Sequence, residues 1–143
     1  MSAYTTQTAI QGEIQLTDLI DLTDDAPKQG IVNQKVLAQV IANASGEIDR
    51  LVGNIYDMPF NPVPPSVASM ALIISCYRLY RRRLVPDERN KFFPDYKETR
   101  DFLNKVHKRE DVLDLSITAD FSQVAADLRP SIFGYGNALS NSM

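Results

Sequence analysis

The chain has 143 residues, of which 44% are apolar and 23% are charged, and its formal net charge is −3. These values are ordinary for one globular domain with tails. The acidic balance argues against a domain that binds nucleic acid through a broadly basic surface. The single cysteine, Cys76, excludes an intramolecular disulfide and fits a reducing compartment. The longest apolar run, around residues 70–74, is far too short to cross a bilayer.

The first 32 residues predict short helical turns joined by loops. Thr5 or Thr6 can cap a first helix, and apolar residues recur with helical spacing over residues 16–22. Four aspartates lie in or after this second segment: Asp18, Asp21, Asp24 and Asp25. They lack the alternating ligands, central glycine and closing glutamate of a calcium loop. We therefore expect loop and capping carboxylates here, and no metal site.

The clearest helix is predicted over residues 33–53, where apolar residues recur at spacings of three and four. Asn33 is a suitable N-cap and Gly53 is placed to end the helix. The polar residues of the pattern, Glu47 among them, are assigned to the solvent-facing side. Gly46 should weaken the helix by roughly 1 kcal/mol relative to alanine, and close approach of a neighbouring element would explain a glycine at that position.

A proline-rich strap is predicted next. Residues 54–65 contain four prolines, which remove backbone donors and disfavour a helix. The apolar residues between them, including Tyr56 and Phe60, predict a strap that crosses the bundle and seals one end of its core.

A central helix is predicted over residues 65–83, because this segment is apolar nearly all round and such helices are buried. Cys76 is most simply a core residue of this helix. Its C-terminal end carries four arginines, Arg78, Arg81, Arg82 and Arg83. With Arg89 and Lys91 they make the one basic cluster of the sequence. The cluster either is solvated and compensates the helix dipole, or contacts an acidic partner surface or DNA phosphate.

The last long helix is predicted over residues 86–110, where Pro94 marks either its start or a kink. The helical pattern then fades. The chain is thus predicted to divide into a helical domain, residues 1–117, and an extended or flexible C-terminal tail, residues 118–143. Phe133 and Tyr135 suit a tail that orders against a partner. The predicted fold class is all-α, a small bundle of three to four main helices.

Motifs of common enzymes are missing from the sequence. It has no phosphate-binding glycine loop and no GxSxG, HExxH or CxxC motif, and its single histidine makes no metal site. We therefore expect no catalytic, cofactor-binding or metal-binding residues, and a protein that is not an enzyme. A small helical DNA-binding regulator remains an alternative, with the arginine cluster on phosphates.

Three motifs in one order resemble a known family. The first is Ala44-Ser45-Gly46-Glu47-Ile48-Asp49; a glycine, a tyrosine and a P-x-x-P-V-P strap from Pro59 follow; the last is Tyr77-Arg78-Leu79-Tyr80. Together they resemble the Mu-like prophage neck protein family over roughly residues 10–110. That family is similar to the head–tail connector proteins of long-tailed phages.

The resemblance implies a non-enzymatic virion component that assembles as a ring beneath the portal, around the channel through which DNA passes. It implies portal and tail or stopper proteins as partners, DNA nearby without specific binding, and no membrane. The location would be the virion neck, after a stage in the host bacterial cytoplasm. The candidate partner-interface residues are Arg78, Arg81, Arg82, Arg83, Tyr56, Phe60, Phe133 and Tyr135.

Overall fold

The computed structural model describes residues 3–116, and every regular element within that range is helical. The elements are α1 (Gln7–Gln11), α2 (Leu16–Thr23), α3 (Gln34–Val52), α4 (Pro65–Arg82), a 3₁₀-helix (Asp87–Arg89) and α5 (Phe93–His107). The three long helices pack against one another, which confirms the predicted all-α bundle. The predicted tail, with Phe133 and Tyr135, lies outside the described residues. None of the helices between residues 3 and 116 is long and apolar enough to cross a membrane.

Helix α4 is the central element, as predicted, because it contacts each of the other four α-helices. Its side chains at Val67, Ile74, Cys76 and Leu79 are completely buried. Burial, together with the negative charge of Glu13, raises the pKa of the Cys76 thiol to about 12. The thiol is therefore a protonated core group at neutral pH.

Helix α3 begins and ends close to the predicted residues. The Asn33 side chain caps it by accepting hydrogen bonds from the backbone N–H groups of Lys35 and Val36. A Cβ added at Gly53 would lie 2.5 Å from the backbone oxygen of Asp49, so this position has no room for a side chain. At Gly46 an added Cβ would meet nothing within 4 Å. The expectation that a neighbouring element approaches Gly46 closely is therefore wrong.

Helix α5 begins at Phe93, seven residues into the predicted range and next to Pro94, one of the two positions at which the sequence allowed it to start. Pro86 precedes only the 3₁₀-helix, and Pro94 lies in the first turn of α5, where a proline is well tolerated. Between them, the Asn90 side chain accepts a hydrogen bond from the Phe92 N–H and donates one to the Tyr77 carbonyl. These two bonds, one within the turn and one to α4, hold Asn90 outside a helix. Pro94 therefore marks the start of α5 and no kink.

The strap between α3 and α4 is non-helical, as predicted. Its half-buried apolar residues pack on a core cluster that contains Val52, Val67 and Leu103. The peptide bonds before Pro59 and Pro62 are cis. The strap thus covers the end of the bundle at which α4 begins.

Candidate partner-binding surface

Glu47 of α3 is completely buried between α4 and α5, which corrects its assignment to the solvent-facing side. Its Oε1 accepts a hydrogen bond from Arg78 Nη2 at 2.5 Å. Its Oε2 accepts one from Arg100 Nη1 at 2.8 Å and one from the Tyr96 hydroxyl at 3.0 Å. The two arginine side chains are 34% and 37% exposed, so these ion pairs link the three long helices from the core outwards.

Tyr96 joins this ionic cluster to a stacked aromatic pair. Its ring lies on that of Tyr77, with ring centroids 3.9 Å apart and planes within 6°. Burial and the charge of Glu47 raise the pKa of Tyr96, which keeps its hydroxyl neutral. Burial alone would lower the pKa of Arg100, but the Tyr96 hydroxyl and Glu47 outweigh it and raise that pKa.

Arg82 and Arg83 hold the chain that leads from α2 to α3. Arg82 donates to the Leu22 carbonyl at 2.7 Å and to the Asp25 carboxylate at 2.8 Å. Arg83 donates to the Asp21 carbonyl at 2.9 Å and pairs with the other Asp25 oxygen at 3.1 Å. Both predicted interface arginines are thus engaged within their own chain, where they fix this loop against the end of α4.

The same loop is stabilised by Asp24. Its carboxylate accepts hydrogen bonds from the backbone N–H groups of Gln29 at 3.0 Å and Gly30 at 2.8 Å. These two bonds lower the pKa of Asp24. The expected role as a loop-capping carboxylate is confirmed, and residues 3–116 contain no cluster of His, Cys, Asp and Glu that could hold a metal ion.

Of the four arginines at the end of α4, Arg81 is the one whose charge is left for a partner. Its Nη1 donates to the Tyr77 hydroxyl at 3.0 Å, and that hydroxyl donates to Asp87 at 2.9 Å. The hydrogen bond to Tyr77 raises the pKa of Arg81. Among the described residues Arg81 forms no ion pair, so its guanidinium is positioned by a tyrosine but not neutralised in direct contact.

A groove of about 330 Å³ lies between α3 and α4 beside Arg81. Val36 and Val40 supply its apolar surface, and amide side chains lie along α3, where Gln39 donates to Asn43 at 2.9 Å. Three arginines complete the lining: Arg78, Arg81 and Arg82. Within residues 3–116, no carboxylate lines this groove.

Tyr56 and Phe60 lie at the other end of α4. The Tyr56 hydroxyl accepts a hydrogen bond from the Leu113 N–H at 3.1 Å, and its ring lies 6.2 Å from that of Phe60. The Phe60 N–H donates to the Tyr4 hydroxyl at 3.1 Å, and these two rings make an edge contact at 5.7 Å. The described candidate residues therefore form two groups at opposite ends of α4.

Sequence reasoning missed Glu47 and Arg100. Glu47 follows Ala44 by three residues and Val40 by seven, so helical spacing places it on the buried face. That signal was present in the sequence. Its partner Arg100 lies 53 residues further along the chain, and no local pattern connects the two.

A comparison with known protein families identifies the class to which this helical protein belongs. A family model described as Bacteriophage Mu, Gp36 matches residues 4–128. The match covers well over half of the 143 residues, and the chain belongs to the Bacteriophage Mu Gp36 family. The predicted relationship to a Mu-like phage family is thereby confirmed. No curated protein matches the chain.

Proposed function

We propose that this protein is a structural subunit of a phage or prophage head–tail connector, which assembles as a ring below the portal. The observation that carries the proposal is the family match over residues 4–128. The proposed role is non-enzymatic and needs no cofactor. Its partners are further copies of the chain, the portal, and tail or stopper proteins, and its final location is the virion neck.

The distribution of exposed apolar residues supports a ring subunit. Leu84, directly after the arginines, is 88% exposed and has a φ of 59°, a left-handed conformation that is costly for leucine. Ile31 in the α2–α3 loop is 60% exposed, and Val112, after α5, is 72% exposed. A ring needs two different surfaces on each copy that fit each other, and large exposed apolar side chains are suited to such contacts.

The alternative, a DNA-binding regulator, is less well supported. Such a protein would use the arginine cluster on phosphates, but Arg78, Arg82 and Arg83 already pair with carboxylates of their own chain. Of the four arginines at the end of α4, only Arg81 forms no ion pair with the described residues, so these side chains offer little charge for phosphate neutralisation. In the proposed ring, DNA passes nearby without specific binding.

Deletion of the gene from an inducible phage or prophage tests the proposal. We expect heads that fill with DNA but carry no tails, because the connector joins the two. Plasmid-borne wild type and the exposed variant Glu98→Gln should both restore tailed particles, and antibody labelling should place the protein at the neck. Normal tailed particles from the deletion strain would contradict the connector role.

A further inference from the structure

The segment after α5 combines negative charge with exposed apolar side chains. Residues 110–115 read Glu-Asp-Val-Leu-Asp-Leu. Val112 is 72% exposed and Leu115 is 42% exposed. Asp111 lies in a hollow lined by α5 lysines, whereas Glu110 and Asp114 form no ion pair with any residue that the structure describes.

This acidic segment is held firmly at the strap end of the bundle. The Leu113 side chain is buried, and its N–H donates to Tyr56 at 3.1 Å. The Asp114 carbonyl accepts a hydrogen bond from the Ser66 hydroxyl at the start of α4. Leu113 thus anchors the segment, whereas Val112 and Asp114 on either side of it are exposed.

The arginine groove between α3 and α4 has the complementary character. Three guanidinium groups line it and, among the described residues, no carboxylate does. Arg78 and Arg82 are paired with Glu47 and Asp25, so Arg81 supplies the unpaired charge. Val36 and the largely buried Val40 form its apolar part. Arg81 follows Ser66 by 15 residues of α4, which at 1.5 Å per residue is about 22 Å. The anchored acidic segment therefore cannot reach the groove of its own chain.

We propose that the groove between α3 and α4 receives the acidic segment, residues 110–115, of a second copy of this chain. Val112 or Leu115 packs on the valines while Asp114 and Glu110 meet Arg81. The groove and the acidic segment lie at opposite ends of one copy, so the contact is head to tail. A pair of copies joined in this way still has one free groove and one free acidic segment. Such a contact repeats from copy to copy, and it builds a ring where the rotation between neighbouring copies closes. The inference rests on the proposed function and names the contact that builds the ring.

Cross-linking between two variants, each with one introduced cysteine, tests the contact in the full chain. Gln39→Cys places a thiol on the groove and Val112→Cys places one on the acidic segment. The native Cys76 is completely buried, with a pKa of about 12, so only the introduced thiols react readily. A short bis-maleimide should link the two variants when they are mixed, and neither variant to itself. Glu98→Cys replaces Gln39→Cys in the control mixture, which should give no link.

Charge reversal provides the second arm. Arg81→Glu and Asp114→Lys should each weaken self-association, measured by sedimentation, about tenfold or more. Each substitution places two like charges opposite each other in the proposed contact between Arg81 and Asp114. The combined variant should recover most of the loss. Arg89→Glu, which reverses an exposed arginine outside the groove, should associate as the wild type does.

The outcomes separate the contact from the proposed function. A wild type that forms rings while Arg81→Glu does so equally well, and no link between positions 39 and 112, would overturn the contact and leave the connector role standing. Loss of head joining with Arg81→Glu, without any self-association of the wild type, would assign the groove to a different protein and overturn the self-contact. A ring together with the trans link and the recovery by charge exchange supports it.

Discussion

The two ends of α4 are stabilised by different kinds of interaction. At the arginine end, Arg82 and Arg83 hold the α2–α3 loop through Asp25 and backbone carbonyls. At the strap end, aromatic rings and the Tyr4 hydroxyl close the core. A basic cluster that resembles a binding patch in sequence is therefore largely engaged in the fold. Of the four arginines at the end of α4, Arg81 is the exposed one whose charge stays available to a partner.

The largest effect on the free energy of unfolding is expected at Glu47, which is buried beneath Arg78 and Arg100 and forms ion pairs with both. Glu47→Gln removes the carboxylate that Arg78 and Arg100 share. Breaking a fully buried pair costs about 3–5 kcal/mol, but both guanidiniums can partly hydrate. We therefore expect the free energy of unfolding to fall by about 2–3 kcal/mol. Urea titration measures it, with the exposed Glu98→Gln within about 0.5 kcal/mol of wild type as control. A loss below 0.5 kcal/mol would mean that Glu47 contributes little.

The next largest effect is expected at the strap end. Tyr4→Phe removes a hydroxyl that donates to Asp49 and accepts from the Phe60 N–H. We expect a loss of about 1–2 kcal/mol in the free energy of unfolding and faster hydrogen exchange over residues 54–64. Tyr80→Phe is the matched control, because the Tyr80 hydroxyl has no hydrogen-bond partner among residues 3–116. Unchanged exchange in the strap would show that packing alone holds it.

Alanine substitutions at two glycines, Gly46 within α3 and Gly53 directly after it, should change the free energy of unfolding by smaller amounts and in opposite directions. Gly46→Ala should raise the free energy of unfolding by about 0.5–1 kcal/mol, because alanine favours the helix and its Cβ meets nothing within 4 Å. Gly53→Ala should lower it, because the added Cβ would lie 2.5 Å from the Asp49 oxygen. Thermal unfolding of both variants measures the difference. Equal shifts of the same sign would contradict the local geometry.

The smallest effect is expected at Asp24 and depends on pH. Hydrogen bonds from Gln29 and Gly30 lower its pKa from the ordinary value of 3.8. A lowered folded-state pKa stabilises the protein above pH 3.8 and loses that effect as the pH falls through the folded value. The stability difference between wild type and Asp24→Asn should thus be greatest near neutral pH and shrink below pH 3.8. Chemical unfolding at several pH values measures it, and a difference that grows towards acid would reverse the sign of our account.

Local patterns predicted the elements better than their tertiary partners. The spacing of apolar residues and the Asn33 cap defined α3, because both signals lie within a few residues. The sequence leaves the start of α5 open, because Pro86 and Pro94 are each compatible with a first turn. The Asn90 bonds that favour Pro94 involve Tyr77 of another helix. The arginine contacts could not be predicted at all, since Arg82 and Asp25 are 57 residues apart in sequence.

Native mass spectrometry of the full chain, with and without the portal protein over a range of concentrations, tests the central claim most directly. We expect a series of oligomer masses that ends at one closed ring and grows no further. It also predicts that Arg81→Glu shortens the series while Arg89→Glu leaves it unchanged. A species that stops at a symmetric dimer, or remains a monomer even beside the portal, would contradict the proposed ring.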